Sequence, residues 1–188
     1  MITSKKEYKY YLHCDELARW GDKGASWFEK IKKGDLWRYN VVLRKLEYVM
    51  SNDNIIGRML VIYYRLRLNH YSRETGWTIP PNTFGPGLLV VHRGTVVVNG
   101  QARIGSNCRV HTCVNIGGWD DGCPKIGDNV YIGPGAKIFG GIEIASNIAI
   151  GANAVVNKSF MEPGISVAGI PARKISNNGN IHAILGKL

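Results

Sequence analysis

Upstream of a composition change between Tyr71 and Pro81, apolar residues recur every third or fourth place. Leu36, Tyr39, Leu43, Leu46 and Met50 keep that step, with Arg38, Arg44, Lys45 and Glu47 between them, the pattern of an amphipathic helix. Asn54 is placed to cap a second helix running to about His70, with Met59, Ile62, Tyr63 and Leu66 among its apolar members. An earlier helix is predicted over roughly Ser4 to Arg19. Ile79-Pro80-Pro81-Asn82 then ends helical structure, because proline lacks an N–H and pushes its predecessor out of helical geometry.

Downstream the period becomes six. Ile104, Val110 and Ile116 are followed, after a surplus of four residues, by Ile126, Ile132, Ile138, Ile144, Ile150 and Val156. Ile and Val fill only 35 of the 188 places, so agreement at all nine by chance is on the order of one in a million. Small residues often follow, at Gly105, Gly117, Gly127, Gly133, Ala145 and Gly151. The fourth place on is small or apolar, at Cys108, Val114, Val130, Ala136, Ile142, Ile148 and Ala154. Each hexad thus reads as one short strand and one corner, with three hexads closing a triangular coil. The repeated Ile/Val points inward and stacks on its counterpart one coil away, about 4.8 Å distant. Ordinary strands of a sandwich would give period two and irregular turns, and would not produce nine coincidences.

Composition narrows the partners. Hydrophobic residues at 45% and charged residues at 20% are globular values. The formal charge of +10 favours an acidic partner: nucleic acid, an anionic membrane surface or a phosphorylated small molecule. No nucleic-acid reader motif accompanies the charge, so nucleic acid is not expected. The segment from Asn54 to Asn69 sets Arg58, Arg65 and Arg67 beside Ile62, Tyr63 and Tyr64, a pattern suited to peripheral contact with an anionic membrane. No apolar run approaches the roughly 18 residues of a membrane span, and the start lacks a signal core, so a cytoplasmic location is expected. Cys14, Cys108, Cys113 and Cys123 have no C-x-x-C spacing and no histidine in ligand register. Neither a disulfide framework nor a metal is expected.

Three stretches carry a family resemblance. They are Gly87-Leu-Leu-Val-Val-His92-Arg-Gly-Thr-Val-Val-Val98; Val114-Asn-Ile-Gly-Gly118, then Pro124-Lys-Ile-Gly-Asp-Asn-Val-Tyr-Ile-Gly-Pro-Gly-Ala-Lys137; and Ala168-Gly-Ile-Pro-Ala-Arg173. In this order, after a helical region, they resemble the hexapeptide-repeat acyltransferases, within them the serine O-acetyltransferases. The resemblance implies a mainly β fold, a left-handed parallel β-helix of between four and five coils. The expected organisation is an N-terminal helical region over 1–75, the β-helix over 76–175 and a tail over 176–188. It also implies acetyl-CoA as donor and a homotrimer, since the donor lies between adjacent β-helices. Whether trimers pair into hexamers is left open.

Moving acetyl from a thioester to a hydroxyl needs a base for the hydroxyl proton, and a histidine with a pKa near 6.5 can take it and return it to sulfur. His92 is the expected base. His111, one coil on, is the rival base or an acceptor-binding residue. His13, His70 and His182 fall outside the repeat and read as surface or packing residues. By the resemblance, Gly118, Pro134, Ala136 and Ala152 line the donor groove, Ala149 stands where relatives can carry a lysine, and Lys158 or Arg173 meets a phosphate.

The chain departs from the resemblance at the acceptor. Relatives pair the histidine with an aspartate whose place is here about Thr78, and a second aspartate is here Val91. The arginine and histidine that hold the serine carboxylate are here Gly122 and Cys123. An orienting group for His92 is therefore expected from Asp120, Asp121, Asn82 or a backbone carbonyl. The changes are similar to serine-acetyltransferase-like enzymes that decorate capsular or exopolysaccharide sugars, as are Trp37-Arg-Tyr39 and the run at 79–87. The expected acceptor is then a sugar hydroxyl in polysaccharide biosynthesis, with Asn82, His111, Trp119, Asp120 and Cys123 as its contacts. The alternative is a serine O-acetyltransferase of cysteine biosynthesis; a loop anchor between subunits is the other reading of Trp119.

Overall fold

A computed structural model describes residues 1–22, 24–32 and 34–179, so His182 and most of the tail lie outside the described residues. Four helices come first: α1 (Lys5–Trp20), α2 (Trp27–Lys32), α3 (Gly34–Val49) and α4 (Ile55–Thr75). Ser4 and Glu7 close α1 with a capping box, and Asn54 caps α4 by accepting from the Gly57 N–H at 2.7 Å. Gly76, at φ 80°, ends α4 in the left-handed conformation, five residues beyond the predicted stop.

Fourteen short strands follow among the described residues: β1 (Trp77–Thr78), β2 (Leu89–Val90), β3 (Val96–Val98), β4 (Arg103–Ile104), β5 (Arg109–Val110), β6 (Val114–Gly117), β7 (Lys125–Ile126), β8 (Tyr131–Ile132), β9 (Lys137–Phe139), β10 (Glu143–Ile144), β11 (Ala149–Ile150), β12 (Val155–Val156), β13 (Ser166–Ala168) and β14 (Arg173–Ser176). They stack into three flat faces. The first holds β1-β3-β6-β9-β12, the second β4-β7-β10, and the third β2-β5-β8-β11-β13-β14. Pairing is parallel except between β13 and β14, so the chain is a parallel β-solenoid, five turns deep on its first face. All nine repeat positions are buried, from 0% exposure at Val110, Ile132, Ile138, Ile150 and Val156 to 4% at Ile104 and Ile126. The sixfold period is the interior of the prism. The surplus of four residues loops out after β6 as a tight hairpin, Trp119 pairing with Gly122.

The edge between the second and third faces carries an asparagine ladder. Asn107, Asn129 and Asn147 all sit at positive φ, and their side-chain amides hydrogen-bond in series at 3.1 and 3.0 Å. Asparagine tolerates this backbone, and its amide links one coil to the next.

The first coil would otherwise present a bare edge of backbone groups. Side chains of α1 and α3 cover it. Asp15 accepts from the Gly87 and Leu88 N–H groups, Arg44 donates to the Phe84 and Gly85 carbonyls, Asn40 donates to the Leu88 carbonyl, and Glu47 accepts from the Asn82 N–H. Asp15 and Glu47 also pair with Arg44 at 2.9 Å. Burial alone would lower the Arg44 pKa; the two carboxylates outweigh it and hold the guanidinium charged. This reverses the polar reading of α3: Arg44 and Glu47 are buried at 0% and 2%, while Met50 lies beyond the helix and exposed. On α4 the buried positions are Gly57, Leu68, Tyr71 and Thr75, and the predicted apolar members Met59, Ile62, Tyr63 and Leu66 face outward. No helix among the described residues is long and apolar enough to cross a membrane.

Candidate active site

His92 stands on the edge between the third and first faces, and the register explains its exposure. Val90 pairs with Val110 and Val96 with Val114. Five residues, Val91 to Thr95, therefore separate the inward positions of the first coil, where three, His111 to Cys113, separate those of the second. Stepping back by six from Ile104 through Val98 would place His92 inside the prism. The two extra residues instead lift it onto a lengthened, exposed corner.

That corner is fixed from the helical side. Trp77 Nε1 donates to the His92 carbonyl at 3.3 Å, Arg19 to the Val90 carbonyl at 3.2 Å, and the Gly94 N–H to the Thr75 carbonyl at 2.9 Å. Arg93 pairs with Asp35 at 2.6 Å. Gly94 (φ 137°) is required here, because a Cβ would meet Thr112 Cγ2 at 2.9 Å.

Below His92, outward residues of the third face form a stack. The His92 and His111 rings are 6.2 Å apart, and His111 lies 5.1 Å from the Tyr131 ring. Burial, the Arg109 charge and the His92 ring together hold His111 below the usual histidine pKa. His111 Nε2 and Arg109 Nε are buried without a hydrogen-bond partner. Further down the same edge, Pro134 and Ala152 are exposed and small.

The other expected residues stand elsewhere. Asn82, Gly118, Trp119, Asp120, Cys123 and Lys158 lie along the edge between the first and second faces, at the far ends of the first-face strands from His92. The Asp121 carboxylate accepts from the Gly141 N–H at 2.9 Å, and Asn82 is held by Glu47. Within one chain, Asn82, Asp120 and Asp121 therefore do not orient the His92 imidazole. Ala136 is fully buried in the core and lines no groove. Arg173 is exposed on β14 at the end of the third face. All four cysteines are free, and burial pushes the Cys108 thiol up to about 12. No cluster of three or more metal-ligating side chains occurs among the described residues. Arg109 went unremarked in the sequence; its meaning comes from its missing partner, which only the structure reveals.

Residues 123–158 match the family model for the bacterial transferase hexapeptide (six repeats). That segment is a run of hexapeptide transferase repeats. The chain is 36% identical over 118 residues to the serine acetyltransferase of Synechococcus elongatus, spanning 60% of this chain and 48% of that protein. It is 40% identical over 111 residues to that of Staphylococcus aureus, spanning 56% of this chain and 51% of that protein. The chain thus spans about half the length of the curated relatives it matches. The crystal structure of Brucella abortus serine acetyltransferase superposes with a TM-score of 0.75 at 26% identity, over 94% of this chain and 72% of that one. Its coenzyme A complex gives 0.72 at 26%, covering 93% and 70%. The Neisseria gonorrhoeae enzyme in complex with serine gives 0.72 at 28%, covering 92% and 71%.

These findings overturn the expected polysaccharide acceptor. The relatives and structures just described are serine acetyltransferases, which favours the alternative reading of the sequence. Within one chain, moreover, Trp119 and Asp120 occupy a different edge from His92 and form no sugar site beside it.

Proposed function

We propose that the protein transfers an acetyl group from acetyl-CoA to the hydroxyl of L-serine, with His92 as general base. The observation that carries this reading is the exposed imidazole on a lengthened corner above a ridge of small residues, in a chain similar to serine acetyltransferases. His92 takes the hydroxyl proton as oxygen attacks the thioester carbonyl. The tetrahedral intermediate then collapses, the carbon–sulfur bond breaks, and the imidazolium returns the proton to sulfur.

The donor's pantetheine arm runs along Pro134 and Ala152, with Gly118 from a neighbouring chain opposite. Lys158 and Arg173 are the exposed cations for its phosphates, and the +10 balance favours so acidic a molecule. This reading implies a homotrimer, and the layout of the solenoid is compatible with one. His92 and the Gly118–Cys123 hairpin are on separate edges of one prism, and a neighbouring prism brings unlike edges together.

The test is release of coenzyme A thiol from acetyl-CoA on adding L-serine. Wild-type protein should show serine-dependent release, and His92→Ala should lower kcat by about 10²–10⁴-fold. Absence of serine-dependent release, or a His92→Ala protein that keeps most of its rate, would sink the reading.

A further inference from the structure

A serine acceptor brings a carboxylate, and Gly122 and Cys123 offer no cation to hold it. The third face does. Arg109 and His111 project outward from β5 and its end, because Val110 between them is fully buried. Arg109 makes no ion pair and no side-chain hydrogen bond among the described residues, although its Nε is buried. His111 Nε2 is likewise buried and unmatched. Orphaned buried nitrogens are uncommon because each forfeits its hydration for nothing. Two on one patch, beside His92, mark a place completed from outside.

The charged and titratable groups facing His111 are Arg109 from its own strand, His92 from the corner above and Tyr131 from β8 below. No carboxylate is among them, so the patch is basic and lacks a counter-ion. The His92 and His111 ring centroids are 6.2 Å apart, close enough for one small polar molecule along their outer edges to touch both, each contact about 2.8 Å long. A hydroxyl and a carboxylate on neighbouring carbons fit that spacing.

We propose that Arg109 and His111 form an anion subsite that seats the acceptor carboxylate while His92 addresses its hydroxyl. This deepens the reading above and rests on it for the identity of the acceptor. The diphosphate of coenzyme A is the other source of negative charge, and the experiment separates the two.

The His111 ring resonances are followed by NMR in wild-type protein with L-serine, L-serinamide or coenzyme A. L-serine should raise the His111 pKa by about one unit, as a new anion does. L-serinamide, lacking the carboxylate, should leave it unmoved. Arg109→Gln should raise KM for L-serine about 10–100-fold with KM for acetyl-CoA unchanged, and Arg109→Lys should recover part of the loss. A response to coenzyme A but not to L-serine overturns the carboxylate assignment, as does no response to either. So does an Arg109→Gln enzyme with an unchanged serine KM. If L-serine moves His111 but no acetyl is transferred, the subsite stands and the proposed reaction falls.

Discussion

His111 couples the site to pH through its surroundings. Desolvation, Arg109 and His92 all disfavour its protonated form in the folded state, so its folded pKa lies below the ordinary value of 6.5. The unfolded chain then binds a proton that the folded one resists. Stability should be full above about pH 6.5, fall as pH drops below it, and level off once pH passes the folded pKa. The carboxylates of Glu7 and Glu29 are held low by their hydrogen bonds to Thr3 and Ser26, and titrate below this window. Urea midpoints between pH 7.5 and 5.5 should therefore decline in wild type and decline less in His111→Gln; parallel slopes would contradict the assignment. At this scale the sequence was partly legible. His92 could be singled out by its motif, but not its lift onto a five-residue corner, which depends on register with the next coil. Ala136 was misplaced for the opposite reason: a small residue in a repeat reads equally as groove lining or as core filler, and here it fills the core.

The elements divide between patterns that local sequence declares and contacts it hides. The hexad period declared the prism because one residue in six must face inward in every strand, and burial of all nine positions follows. Truncating one of them, Ile132→Ala, should cost about 2–5 kcal/mol in a denaturant titration, since rigid coils above and below cannot close the cavity. The helical layer was harder to read. A charged residue at a polar step of α3 looks solvated, yet Arg44 is buried because Asp15, 29 residues away, and the carbonyls of the first coil need its donors. Arg44→Met should destabilise the fold by about 3–5 kcal/mol, because it strands Asp15 and Glu47 without a cation. Arg44→Lys should rescue little, for an ammonium cannot reproduce the forked contacts to two carboxylates and two carbonyls. A lysine variant with wild-type stability would show that charge alone, rather than the fork, holds the helices to the solenoid.

The whole molecule raises a question that one prism cannot answer alone. A concavity of about 430 Å³ lies on the second face, lined by Arg103, Lys125, Glu143 and Met161, away from His92. The base stands on an open ridge, and the exposed hairpin with Trp119 at 71% exposure stands on another edge. If catalysis draws on both edges, each site must take one edge from each of two chains, and the chains become interchangeable carriers of half-sites. His92→Ala removes the base edge and leaves the hairpin edge intact; Trp119→Ala does the reverse. Each variant alone should be nearly inactive. Unfolding the two together at equal concentration and refolding them should place an intact base edge against an intact hairpin edge at about one quarter of the sites. Recovered activity near a quarter of wild type, with a trimeric mass by light scattering, is the expected result. Proteins that each refold as trimers yet show no recovery on mixing would mean that both groups act within a single chain or that the hairpin takes no part. A monomeric mass would remove the shared groove altogether.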